Sequence, residues 1–232
     1  MSANAVGRKR IFLIHATPLA VPPITDAFAR LWPEAELCNL LEDSLSRDVS
    51  VAGRVTPALE GRFLSLARYA QSAGADAILF TCSAFGGAID LCKAALSIPV
   101  LKPNEAMLEE ALSYGSRIAL LATFAPSISS ITEEIMEAAE RCQLKVRVQS
   151  ASAPAAMAAL QAGDIARHDQ LVSEKIASIA DADVICLAQF SMTTAASRCM
   201  SLTDRPVLTT PESAVRKLRH ILGEGDQNRD LL

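Results

Sequence analysis

Cys82 stands in the run Thr81-Cys82-Ser83, directly after an apolar stretch and shortly before Gly86-Gly87. A thiol at the start of a helix, beside hydroxyls and unpaired backbone N–H groups, is favoured as thiolate. A thiolate is a competent base or nucleophile, so Cys82 is the candidate reactive residue. Cys186 falls mid-strand, and Cys92, Cys142 and Cys199 fall on helical patterns, where a buried structural role is expected. With Cys38, the six cysteines make no CxxC pair and are expected as free thiols of a reducing compartment. His15, His168 and His220 lie far apart and form no metal-binding pattern.

Three further segments resemble the Cys82 segment in following an apolar run and carrying small hydroxyl residues or helix breakers. They are His15-Ala16-Thr17-Pro18, Thr123-Phe124-Ala125-Pro126-Ser127 and Gln189-Phe190-Ser191-Met192-Thr193-Thr194. Strand-to-helix turns of this kind present backbone donors and suit a carboxylate ligand. Ser83, Thr123, Ser127 and Thr193 add hydroxyls, each of which also fits a plain N-cap. Leu19, Phe85, Phe124, Phe190 and Met192 would make one side of a pocket apolar, or belong to the core.

The elements that must position these segments are short apolar runs alternating with helical patterns. Strands are expected at Arg10–His15, Glu36–Leu41, 76–81, 99–101, Arg117–Ala122, 145–149, 183–188 and 206–208. Helices are expected over segments such as 57–73, Ser127–Arg141, 165–180 and 211–222. This alternation predicts βαβ units and parallel sheets. Arg10-Ile11 and Arg117-Ile118, Ala75-Asp76-Ala77-Ile78 and Ala182-Asp183-Val184-Ile185, and Pro99-Val100-Leu101 and Pro206-Val207-Leu208 share one offset of 107 residues. The expected fold is therefore α/β, with two pseudo-symmetric lobes, each a small parallel sheet flanked by helices. The first lobe takes 1–102 plus 207–232 and the second 103–206. Ligands of open parallel sheets bind at the carboxyl ends of strands, so a cleft between the lobes is expected to hold the site.

The 232 residues are half hydrophobic but only 4% aromatic, with a formal net charge of −4. No basic footprint for nucleic acid is present. No apolar run reaches a membrane span, and the N-terminus carries no signal-peptide pattern. A cytoplasmic protein is expected.

The duplication, the Thr-Cys-Ser run, Arg-Ile-Ala-Leu-Leu-Ala-Thr at 117–123 and the helix from Pro211 resemble the aspartate/glutamate/hydantoin racemase superfamily. The resemblance spans roughly 10–222 and is closest to the branch with hydantoin racemases, maleate isomerases and arylmalonate decarboxylases. It implies a cleft for a small carboxylate or related carbon acid, no metal or cofactor, and an enzyme that commonly forms homo-oligomers. It also implies two facing cysteines, one removing the α-proton and the other returning a proton. The first falls on Cys82. The carboxylate-holding loop falls on Thr123 to Ser127, and the first loop on His15 to Pro18. Substrate contacts are thus expected from Thr17, Pro18, Thr81, Ser83, Thr123, Phe124, Ser127, Phe190 and Ser191.

The offset of 107 places the second cysteine at Gln189. Glutamine has no useful pKa and cannot be an acid/base, so at this catalytic position Gln189 is expected either to hydrogen-bond the substrate or to mark a site that has lost its function. The departure favours chemistry with one cysteine, as in decarboxylation of a malonate-type acid or an isomerisation. One alternative is an amino-acid or hydantoin racemase or epimerase with a non-cysteine second base, for which His15 is the candidate. Another is a non-catalytic protein that binds small carboxylates.

Overall fold

The structure, a computed structural model, describes residues 8–124 and 127–223. They fall into two compact units, 8–102 with 215–223, and 103–214. The first unit contains β1 (Arg10–His15), β2 (Glu36–Leu41), β3 (Ala77–Phe80) and β4 (Val100–Leu101). Between them run α1 (Val21–Leu31), α2 (Ser44–Ala52), α3 (Pro57–Ser72) and α4 (Gly86–Ala95). The second contains α5 (Glu105–Tyr114), β5 (Arg117–Ala122), α6 (Ser127–Arg141), β6 (Arg147–Ser152), α7 (Pro154–Gln161), α8 (Ile165–Ser173), β7 (Val184–Leu187), α9 (Ala196–Met200) and β8 (Val207–Thr209). The last helix, α10 (Thr210–Ile221), begins in the second unit and ends in the first.

Both sheets are parallel and share one topology, β2-β1-β3-β4 and β6-β5-β7-β8. The fold is α/β with two four-stranded parallel sheets flanked by helices. The interior strands β3 and β7 are buried at every residue, as strands covered on both faces must be. The edge strands β2 and β6 are partly open.

In the first unit, Phe12, Ile14, Ile78 and Phe80 pack one sheet face against Leu59, Phe63, Ala67 and Ala70 of α3 and Ala88, Ile89 and Cys92 of α4. The α3 residues recur every three or four positions, so one stripe of that helix meets the sheet. Thr56 fixes the start of α3 by accepting from Leu59 N at 3.3 Å, with Pro57 at the first helical position. In the second unit, Ile131, Ile135 and Ala138 of α6 and Met107 and Ala111 of α5 cover Ile118, Leu120, Ala122 and Cys186. The opposite face, with Leu121, Ile185 and Leu187, packs on α7, α8 and α9 through Ala156, Val172 and Cys199.

The repeat extends to the feet of the strands. Asp76 accepts from Arg10 N at 2.8 Å, and Asp183 accepts from Arg117 N at 2.9 Å. Hydrogen bonds from the Arg117 side chain and backbone pull the Asp183 carboxyl down to about 2. The carboxylate of Asp183 also explains Gly115 (φ +156), since a Cβ there would lie 2.6 Å from Asp183 Cγ.

Several boundaries differ from the expected ones. The strand at 207–209, assigned from the sequence to the first lobe, pairs with β7 and belongs to the second unit. β6 runs Arg147–Ser152 rather than 145–149, because this polar edge strand lacks an apolar alternation to mark its ends. The helix expected over 165–180 stops at Ser173, and a 3-10 turn follows over Glu174–Ser178. Among the described residues, no helix is long and apolar enough to cross a membrane.

Candidate active site

Parallel strands bring all their carboxyl ends to one edge of each sheet, and the candidate residues lie at those edges. In the first unit the chain leaves β3 through Thr81, and Cys82 is still extended (φ −124°, ψ 119°). A 3-10 turn over Ser83–Phe85 then leads into α4. Extended backbone sends Cys82 to the face of Phe80, where it packs, half-buried, at the rim of the α3/α4 cluster. Phe85 locks the turn from below. It is fully buried, with its ring centroid 4.5 Å from that of Phe63, so it is core rather than pocket wall.

Thr81 points the other way. Ile14 pairs with Phe80, which sets His15 opposite Thr81. His15 Nδ1 lies 2.8 Å from Thr81 Oγ1 and Nε2 lies 2.9 Å from Asn39 Oδ1. The ring is fully buried, and burial pushes its pKa below the ordinary 6.5, offset only in part by the Asn39 bond. This environment disfavours the protonated form that a spare proton carrier would need. Both ring nitrogens are engaged, on the sheet face opposite Cys82. His15 braces the Thr81-Cys82 turn instead. Asn39 was not read as a site residue; its signal is a lone amide in the apolar strand Glu-Leu-Cys-Asn-Leu-Leu.

This buried imidazole makes stability depend on pH. Its folded pKa lies below the unfolded 6.5, so between the two the unfolded chain binds the extra proton. Stability is expected to fall as pH drops from above 6.5 toward the folded value, then to level off. Denaturant unfolding of wild type and His15→Asn between pH 8 and pH 5, where we expect the difference in stability to shrink with acidity, checks this. A difference independent of pH would contradict it.

Around Cys82, Ser83 is half-buried, and its hydroxyl makes no hydrogen bond to a described residue. Thr17 is half-buried and accepts from Leu19 N at 3.4 Å, while Pro18 is exposed. Lys102 is paired with Asp90 at 2.7 Å. Burial raises the thiols of Cys92, Cys186 and Cys199 to about 11, 12 and 11, which keeps them protonated and inert at neutral pH. Cys38 lies within β2 and Cys142 just beyond α6, away from the strand-end edge.

In the second unit, Leu121 pairs with Leu187, which sets Thr123 opposite Gln189. Gln189 Oε1 accepts from Thr123 N at 2.6 Å and from Thr123 Oγ1 at 2.7 Å. Thr123 is 1% exposed and Gln189 is half-buried. The two donors expected for a carboxylate are thus already held by the chain's own carboxamide. Ser127 Oγ donates to Phe124 O at 2.7 Å, so its hydroxyl caps the turn. Thr193 does the same with Phe190 O at 2.8 Å. Phe190 and Met192 are buried, Phe124 is exposed, and Ser191 is half-buried with no hydrogen bond to a described residue. Ala125 and Pro126 lie outside the described residues.

Sequence reasoning missed three polar features of this unit. His168 Nδ1 lies 2.8 Å from Asp169 Oδ1, which also accepts from Thr194 Oγ1 at 2.6 Å. His168 Nε2 is buried with no partner among the described residues, as are Ser152 Oγ and Thr209 Oγ1, each last in its strand. A histidine among polar helix residues carries no mark of this burial. Among the described residues, no group of three or more His, Cys, Asp and Glu side chains is placed to hold a metal ion.

Solved structures with this fold include glutamate racemase isoform RacE1 from Bacillus anthracis, with a TM-score of 0.70 at 16% identity, covering 94% of this chain and 83% of that one. Allantoin racemase from Klebsiella pneumoniae superposes with a TM-score of 0.67 at 15% identity, covering 94% and 89%. Unliganded arylmalonate decarboxylase superposes at 0.61 with 18% identity, covering 94% of each chain. No curated protein matches the sequence. The sequence profile of the Asp/Glu/Hydantoin racemase family matches residues 14–218. With that match over most of its length, the chain belongs to the Asp/Glu/Hydantoin racemase family and is an enzyme of it.

Proposed function

We propose that this enzyme acts without a cofactor at the carbon next to a carboxylate, with Cys82 as its single acid/base, in a decarboxylase- or isomerase-like reaction. The observation that carries this reading is the asymmetry of the repeat. Cys82 extends from β3 at the position that Gln189 takes after β7, and Gln189 is a neutral amide pinned by Thr123. His15, the other candidate, has both nitrogens engaged and its charged form disfavoured by burial.

For a malonate-type acid, cleavage of the bond to one carboxyl group releases CO₂ and leaves its electron pair on the α-carbon as an enediolate. Hydrogen-bond donors at the strand ends stabilise that charge. The Cys82 S–H bond then breaks, its proton forms the new C–H bond, and the thiolate regains a proton from water. Ser83, half-buried beside Cys82 with its hydroxyl uncommitted among the described residues, is suited to hold a substrate oxygen. Turnover of malonate-type and amino acids by wild type and Cys82→Ala tests the reading. Loss of activity supports it, and full activity overturns it.

A further inference from the structure

We infer that Gln189 is a preset substrate-binding arm, whose anchored carboxamide offers its N–H donors to an acceptor oxygen of a small carboxylate. The inference rests on the proposed function and adds the residue that selects the ligand's polarity in the second unit. Oε1 accepts from two donors of one residue, Thr123 N at 2.6 Å and Thr123 Oγ1 at 2.7 Å. Turning the amide over would set its NH₂ against the Thr123 backbone N–H, donor against donor, so the orientation is fixed. The other limb, Nε2, donates to no described residue and is not a buried orphan.

The anchor is dry and the tip is not. Thr123 is 1% exposed, whereas Gln189 is half-buried. A glutamine normally loses rotamer freedom when it takes hold of a ligand. Here β5 and β7 have already fixed the side chain by their register, so little further ordering is needed. The tip is neutral and does not titrate. It binds a carboxylate or enolate oxygen without exchanging a proton, and it disfavours an amide N–H or ammonium at the same place. At the repeat position of Cys82, the second unit thus carries a ligand selector and not a proton carrier.

Calorimetric titration of the whole protein with malonate, succinate and L-aspartate tests the arm. Gln189→Ala is expected to weaken binding of the ligand that wild type takes best by at least tenfold, the worth of a hydrogen bond to a charged acceptor. Gln189→Glu keeps the length and an oxygen for the two Thr123 donors but turns the tip into an anion. Its melting temperature should stay close to wild type while carboxylate binding disappears. In turnover, Gln189→Ala should lower kcat/KM by at least tenfold. Equal or tighter binding by Gln189→Ala would mean that Gln189 merely blocks the Thr123 donors, and would overturn the arm. Wild-type-like binding by Gln189→Glu, or no binding of any of the three acids by wild type, would overturn it as well. Turnover that depends on Cys82 but is indifferent to Gln189 would sink the arm and leave the proposed function standing. Turnover indifferent to Cys82 would sink the proposed function, whatever Gln189 does.

Discussion

Replacing Cys82 with alanine is expected to lower kcat/KM at least 100-fold, the usual worth of a positioned general acid or base. No other thiol described at a strand-end edge can take over. Cys92, Cys186 and Cys199 are held protonated by burial, with pKa values of about 11, 12 and 11. Nor can His15, whose nitrogens are committed to Thr81 and Asn39. Cys82→Ser should fail nearly as badly, because a hydroxyl of the same shape ionises far less readily than a thiol. The fold should survive both changes. Cys82 only rims the α3/α4 cluster, and alanine removes one half-buried atom. A large loss of rate with an unchanged melting temperature is therefore the expected pair of results. Retained activity in either variant would contradict the role given to Cys82.

Phe63→Ala should produce the largest loss of stability among single changes near the site. Phe63 is 2% exposed, with ring centroids 5.4 Å from Phe80 and 4.5 Å from Phe85. Removing a buried phenyl ring costs about 3–5 kcal/mol, through lost burial and the cavity left behind. That is a large share of the roughly 5–15 kcal/mol that holds a typical domain. The effect should also reach the chemistry. Phe80 ends β3 and Phe85 ends the turn that follows it, so Cys82 lies between the two rings' attachments to the chain. Urea unfolding gives the stability change, and kcat/KM corrected for the folded fraction gives the rest. A loss under 1 kcal/mol would show that the three rings do not act as one packed unit.

Much of the fold was legible because interior strands must be apolar on both faces. The interior strands β1 and β5 take the expected bounds around their apolar runs, and the offset of 107 residues recurs in β1 and β5, β3 and β7, and β4 and β8. β6 was displaced because an exposed edge strand such as Arg-Val-Gln-Ser-Ala-Ser needs no apolar pattern. The break of α8 at Ser173 was invisible for a different reason: Glu174–Ser178 continues a helical composition with tighter turns. Cys82 was legible from its place just past an apolar strand, and Gln189 from the repeat, which fixes positions along the chain.

What the repeat could not provide was the face and reach of each side chain. His15 and Cys82 are alike in sequence, both at strand ends, yet alternation along the strands sends them to opposite faces of one sheet. The grip of Thr123 on Gln189 depends on the register of β5 against β7, which no local pattern encodes. Phe85 and Met192 went to the core because each lies in a 3-10 turn that folds back onto its sheet.

On the proposed function, protons move through the Cys82 thiol only. Running the reaction in D₂O with a prochiral malonate-type acid, and resolving the product by chiral chromatography and mass spectrometry, tests it most directly. One deuterium at the α-carbon in a single configuration is expected, with no later exchange of the isolated product. Deuterium in both enantiomers at comparable rates would require a second proton carrier and contradict it.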